Sequence, residues 1–378
     1  LKIKFEIYMT EIKIKDLRGV GDVELNLDDT KRVFVFFGSN GVGKTKTLES
    51  IFIGLVATNS EFDITPKYGS FERLFREYID FLNKIHLLFD TQYVSTDTLQ
   101  INPERKSFAI AYLGANQRGV FNHHSGYYNK QVGNFNQRKS DYLQRFESSL
   151  YTVDGMKDLG MSESLNEWFV LRAQSVNPYQ REEDNRKIEI DTVLNALNIL
   201  DNRIEKTLKI DGDGNVFLTI EGQERELSEL SSGFISVVKI IQSIISAYSA
   251  FTNATDLLNV KGVVLIDEIE SHLHIEWQTK IVPTLKNLFP NTTFYIATHS
   301  PLVLSQLAEG EAYLLKRDND NVVRSEKINS PNTRLLANVL QDTFGVDLNT
   351  LKRDNMANID QSQAKQRLLD LLNSEAQP

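Results

Sequence analysis

The sequence has no cysteine. That excludes disulfides, thiolate metal sites and cysteine nucleophiles, and it is compatible with a reducing cytoplasm, the expected location. No apolar run reaches the roughly 18 residues that suggest a membrane span. The opening segment, Leu1 to Met9, mixes Lys and Glu with apolar residues and carries no signal-peptide core. No membrane contact is therefore expected. Leu1 in place of Met suggests that residues precede it. Internal repeats, low-complexity tracts and sustained heptads are also missing, which excludes solenoids and long coiled coils. Positive charge is in short supply: the net charge is −9 and the pI about 5.3. There is no overall nucleic-acid footprint, although a local basic patch stays open. The 378 residues suffice for one large core or two lobes.

What is present starts with Gly38-Ser39-Asn40-Gly41-Val42-Gly43-Lys44-Thr45. It fits the G-x-x-x-x-G-K-[ST] phosphate-loop pattern at every fixed position. The apolar run Val33–Phe37 leads into it, and Leu48, Ile51, Phe52 and Leu55 fall on one helical face after it. Glycines let the backbone wrap a phosphate chain, and the free N–H groups of a helix start bind anions. The expected contacts are Gly38, Asn40, Gly41, Gly43, Lys44, Thr45 and Lys46. Lys44 reaches the outer phosphates, and the Thr45 hydroxyl serves Mg²⁺. ATP with Mg²⁺ is the expected ligand.

Two further segments agree. Gly262 to Ile266 is apolar without alternation, as in a buried parallel strand, and ends on Asp267-Glu268. Asp267 suits a Mg²⁺ water shell, and Glu268 is placed to polarise an attacking water. Thr293 to Thr298 is another short buried strand, ending on His299-Ser300. All three strand ends are expected on one edge of a sheet.

On these motifs the chain resembles ABC-type ATPases of the SMC, RecF and OLD group. Within that group it is most similar to compact bacterial AAA-family ATPases of restriction and anti-phage loci. The segments that carry the likeness are Ile266 to His274, Trp277-Gln278, Phe289-Pro290 and Ala297 to Pro301. The likeness covers residues 10 to about 350 and is weaker in the middle. It implies an α/β P-loop NTPase with an ABC-type head, a mixed β-sheet lobe and an inserted helical lobe. The corresponding divisions are 1–70 and 226–350 for the head, 71–225 for the insert and 351–378 for a helical tail. The resemblance makes Leu230-Ser231-Ser232-Gly233 the signature segment that faces the γ-phosphate of a second subunit. It therefore implies a head-to-head homodimer, or a larger homo-oligomer built from dimers, with catalytic roles for Lys44, Glu268 and His299. Ser271-His272-Leu273-His274 would occupy the loop that crosses the dimer interface; transporter ATPases usually carry Asp where this chain has His274. Gln117 matches the family's Mg²⁺-sensing glutamine, with a surface glutamine as the competing reading. Arg18 matches a position that couples nucleotide to the interface, with a solvated turn arginine as its alternative.

Residues 117–145 interleave Arg118, Lys130, Arg138, Lys139 and Arg145 with Phe121, Tyr127, Tyr128, Phe135 and Tyr142. This is either a nucleic-acid track or a surface loop ordered by its aromatics. His123-His124 lacks a third ligand at metal spacing. Helices are expected at 141–150, 162–173, 188–208, 278–288, 333–342 and 361–372. Aromatics at helical spacing over 62–83 read as core, and 311–315 as an edge strand. A strand is expected at residues 2–7. The Asp211 to Gly214 stretch reads as a hairpin turn, since the later ligands of a calcium loop are missing. The functional reading is an ATPase that regulates a separate effector, such as a nuclease, in anti-phage defence or nucleic-acid metabolism. The alternatives are a DNA-repair or nucleic-acid-binding ATPase without an effector and a transporter ATPase subunit.

Overall fold

The computed structural model describes residues 11–62, 106–121, 131–150 and 155–333, the backbone of short strands between 86 and 101, and single positions beyond 340. The chain forms two compact units, Leu1–Thr333 and Arg334–Pro378. In the second, the Asp347 carboxylate accepts from the Thr350 hydroxyl at 2.7 Å.

The strands of the first unit are β1 Glu11–Leu17, β2 Gly21–Asn26, β3 Val33–Phe37, β4 His86–Phe89, β5 Gln92–Ser95, β6 Gln100–Ile101 and β7 Ala109–Leu113. They continue with β8 Ile204–Ile210, β9 Val216–Ile220, β10 Gln223–Glu226, β11 Gly262–Ile266, β12 Thr292–Ala297, β13 Ala312–Arg317 and β14 Val323–Lys327. Among the described residues they build an eleven-stranded sheet, β6-β5-β4-β1-β2-β14-β13-β3-β12-β11-β7, and a three-stranded one, β10-β9-β8. The large sheet is mixed: β13, β3, β12, β11 and β7 run parallel to their neighbours in that order, whereas β1 pairs antiparallel with β2 and β4. All five residues of β3 are 0% exposed, as a strand covered on both faces requires.

The helices are α1 Lys44–Thr58, α2 Phe135–Leu150, α3 Gly155–Asp158, α4 Leu165–Gln174, α5 Lys187–Leu200, α6 Ser232–Phe251, α7 Ile275–Leu288 and α8 Pro301–Leu304. In α1, Leu48, Ile51, Phe52 and Leu55 are all buried, as their spacing predicts. Helix α6 is buried from Ile235 to Ala250 and packs on β7, α2 and α5. By length and composition it could cross a membrane, but 89% of its apolar window is buried inside the protein.

Three expectations need correction. The helix expected over 188–208 ends at Leu200. There the Asp201 carboxylate accepts from the Arg203 N–H at 3.1 Å, and the chain turns into β8. The segment read as an edge strand is β13, which lies inside the sheet between β14 and β3. Its second neighbour has the polar sequence VRSEK, so no apolar pattern announces it. The third is the basic stretch, in which Arg118 and Arg138 are buried. The hairpin at Asp211 behaves as expected, its carboxylate accepting from the N–H of Asp213 and of Asn215, both at 2.9 Å. The strand expected at 2–7, most of the 62–83 aromatics, the helices at 333–342 and 361–372, and His123-His124 lie outside the described residues apart from single positions.

Candidate active site

Strand register brings the motifs together. Phe36 lies opposite Ala297, Ile266 opposite Ile296, and Leu113 opposite Ile266. The carboxyl ends of four parallel strands are therefore level. From that edge leave the phosphate loop, Thr298-His299, Asp267-Glu268 and the loop 114–120. This is where open parallel sheets place ligands.

Two glycines of the phosphate loop have no substitute. A Cβ at Gly38 would come to 2.7 Å from the Leu315 carbonyl, and one at Gly43 to 2.6 Å from Val20. Gly43 also has φ 105°, which disfavours any side chain. Asn40 and Gly41 are exposed at the tip. Lys44 is 6% exposed, and its ammonium folds back onto the carbonyls of Gly38 at 2.8 Å and Ser39 at 3.0 Å. Burial pushes it down to about 8, against the pull of Asp267, Glu270 and Glu268. The Thr45 hydroxyl donates to Asp267 Oδ1 at 3.2 Å, across 222 residues of sequence. Burial pushes the Asp267 carboxyl up to about 6. Lys46 pairs with Glu49 at 2.7 Å.

The second acidic residue stands on a strained turn. Glu268 has φ 46°, and its Oε2 accepts from the Ser271 hydroxyl at 3.1 Å. Two residues on, Glu270 links two loops: its carboxylate accepts from the His299 N–H at 2.6 Å and the Thr298 hydroxyl at 2.5 Å. Gln278 completes the brace, donating to the Leu273 carbonyl at 2.9 Å and accepting from Ser300 at 2.7 Å. His299 is half-buried; burial, then the Lys44 charge, holds its imidazole below the usual 6.5. Sequence reasoning gave Glu270 no role. The available signal was its spacing in the D-E-I-E run.

The signature turn opens α6. Ser231 caps that helix, its hydroxyl accepting from the Phe234 N–H at 3.2 Å. Ser231 and Ser232 are exposed, and Gly233 is buried. A Cβ on Gly233 would meet the His272 carbonyl at 3.0 Å and the His274 nitrogen at 3.3 Å. The Ser236 hydroxyl donates to the Ser271 carbonyl at 3.1 Å. The turn thus rides on the loop that follows Glu268, with His272 and His274 exposed beside it. Gln117 is exposed at φ 59° on the loop after β7, and its carbonyl accepts from Lys239 at 2.8 Å. Arg18 is exposed on the turn between β1 and β2.

The basic stretch is not a free patch. Arg118 is 0% and Arg138 6% exposed. Arg138 donates to the Gly133 carbonyl at 3.1 Å. Lys139 pairs with Glu61, and Arg145 with Glu163 at 3.1 Å. The Tyr142 hydroxyl donates to the Ile110 carbonyl at 2.6 Å. These cations and this aromatic are tied into the fold, while Tyr127, Tyr128 and Lys130 lie outside the described residues.

The donor set fits a nucleotide with its metal. Lys44 and Asp267 are both desolvated, and neither is fully compensated by the protein. Among the described residues, no group of three or more His, Asp or Glu could hold a metal. A hard cation at Thr45 and Asp267 would need oxygens from phosphate and water, which is how Mg²⁺ is usually held.

Fold and site together define an ATP-binding protein of the compact AAA/ABC type. The family model described as "AAA domain, putative AbiEii toxin, Type IV TA system" matches residues 161–305. The "Septu protein PtuA" of Bacillus thuringiensis is 25% identical over 90% of this chain and 85% of its own length. The "Retron Vc95 probable ATPase" of Vibrio cholerae is 37% identical over 25% of this chain, a stretch that spans 18% of that protein. The chain is thus related to Septu and retron proteins. Among solved structures, an SMC head bound to the C-winged helix domain of ScpA overlaps with TM-score 0.43 and 10% identity, covering 86% of this chain and 98% of that one. The fold assignment rests on sheet order and phosphate loop, not on that overlap.

Proposed function

We propose that the chain hydrolyses ATP with Mg²⁺ and uses the cycle to regulate a separate effector, such as a nuclease, in anti-phage defence or nucleic-acid metabolism. The observation that carries this reading is the Thr45–Asp267 hydrogen bond of 3.2 Å beside a buried Lys44. The Thr45 hydroxyl and the Asp267 carboxylate would hold Mg²⁺, which would supply charge neutralisation on the phosphates. Lys44 leaves its loop carbonyls for the outer phosphates. Glu268 accepts a proton from the attacking water. His299 donates to the γ-phosphate, held in place by Glu270. Gln117, exposed on the adjoining loop, would serve the metal.

The exposed Ser231-Ser232 turn, next to exposed His272 and His274, supports a head-to-head dimer in which the turn of one copy faces the phosphates of the other. Two surfaces then contribute donors to the γ-phosphate charge, and hydrolysis loosens the pair, which times the effector. Relatedness to Septu and retron proteins supports the defence setting. The division into head (1–70, 226–350), insert (71–225) and tail (351–378) belongs to this reading, as does a cytoplasmic location. The reading without an effector loses its main support, because Arg118 and Arg138 are buried. A structure of Glu268→Gln with ATP and Mg²⁺ is the test. Ser232 and Gly233 of a second copy within hydrogen-bonding reach of the γ-phosphate are expected; finding them far from every γ-phosphate would sink the composite site.

A further inference from the structure

Arg118 follows Gln117 and ends fully buried. Its guanidinium donates to the carbonyls of Glu268 at 2.6 Å, Asp267 and Gly114 at 2.8 Å each, and Leu113 at 3.4 Å. Every acceptor is main chain, and its Nε has no partner. A cation this deep is normally paired with a carboxylate. Here its planar fork is spent on the ends of two neighbouring strands, β7 and β11.

The two acceptors from the acidic strand have a special relation. The Asp267 carbonyl belongs to the peptide group before the Glu268 Cα, and the Glu268 carbonyl to the peptide group after it. Holding both on one rigid guanidinium restrains both backbone torsions of Glu268. Those torsions need restraint, because φ at Glu268 is 46°, a region that a side chain disfavours. The direction of the Cα–Cβ bond, and with it the reach of the carboxylate, follows from these torsions. We propose that Arg118 is a positioning residue that holds Glu268 in its left-handed conformation and aims its carboxylate at the attacking water. This rests on the reading of Glu268 as the base.

Lysine at 118 keeps a charge but offers a point donor that cannot span both carbonyls in one plane. The test measures single-turnover ATP hydrolysis and calorimetric ATP affinity for Arg118→Lys, alone and combined with Glu268→Gln. Alone, the variant should lose about tenfold to hundredfold in rate, the scale set by small misplacements of a reacting group. Its ATP affinity should stay within about twofold. In the Glu268→Gln background it should cost nothing further, since the group it positions is gone. Equal losses in both backgrounds would overturn the inference, as would unchanged turnover or a loss confined to ATP affinity. If Arg118→Lys does not fold, Arg118→Gln, which removes the buried charge and keeps an amide donor, carries the same test. Failure of both to fold would make the role architectural and also overturn it. A Glu268→Gln variant that hydrolyses ATP at the wild-type rate would instead remove the base itself, and with it the proposed mechanism.

Discussion

Two regions of this protein bury charge, and they do so in opposite ways. In the helical part, Glu189 is 0% exposed and accepts from Arg172 at 2.8 Å, Arg186 at 2.6 Å and Ser249 at 2.7 Å. Burial opposes its charge, but Arg172 and Arg186 outweigh it and keep the carboxyl below its ordinary range. At the strand ends, burial wins: Lys44 falls to about 8 and Asp267 rises to about 6. The Glu189 carboxylate is satisfied within the chain, whereas the charges at the strand ends are left open. A buried charge that the fold does not satisfy points to a missing ligand, whereas a satisfied one points to architecture.

The largest expected effect is on turnover. Glu268→Gln keeps volume and loses the base, and should lower single-turnover hydrolysis by about 10²–10⁴-fold while ATP still binds. Unchanged hydrolysis would leave Glu268 without its role. Next comes Glu189→Gln, which leaves Arg172 and Arg186 facing a neutral group. A loss of about 3–5 kcal/mol is expected on the scale for broken buried pairs, read as a lower urea midpoint. A midpoint matching wild type would mean that the helical charges are not a satisfied network.

Asp267→Asn should behave the opposite way, abolishing turnover without lowering stability. Its carboxyl is raised from 3.8 to about 6, so between those values the folded chain holds a proton that the unfolded chain has released. The cost of ionising Asp267 in the fold is therefore fully present above pH 6 and is relieved as pH falls toward 4. At its limit that cost is roughly 3 kcal/mol. The apo wild type should gain stability relative to Asp267→Asn as pH drops from 7 to 4.5; parallel urea midpoints across that range would contradict the assignment. The smallest effect belongs to Arg145→Ala. Its side chain is 47% exposed in the pair with Glu163, so a change of about 1 kcal/mol or less is expected. A several-fold larger loss by the same denaturation would show that Glu163 depends on it.

The open region was the legible one. The phosphate loop, its strand and its helix are contiguous, so one window of sequence carries their chemistry, and Asp267-Glu268 and His299 each sit at the end of an apolar run. The burial of Arg118 was not legible because its acceptors are main-chain carbonyls, two of them 149 and 150 residues away. Side-chain patterns cannot announce such partners. Glu270 escaped for a similar reason: it acts through space on the N–H of His299, 29 residues on. Strand β14, with its polar VRSEK sequence, gives no periodic signal, so β13 looked like an edge.

The claim that the strand-end charges are left open for a triphosphate and its metal is tested most directly by calorimetric titration of wild type and Lys44→Ala with ATP and Mg²⁺. Saturable, Mg²⁺-dependent binding by the wild type is predicted, weakened at least about tenfold in Lys44→Ala, where phosphate charge loses its ammonium partner. Equal affinity in the two proteins would contradict it.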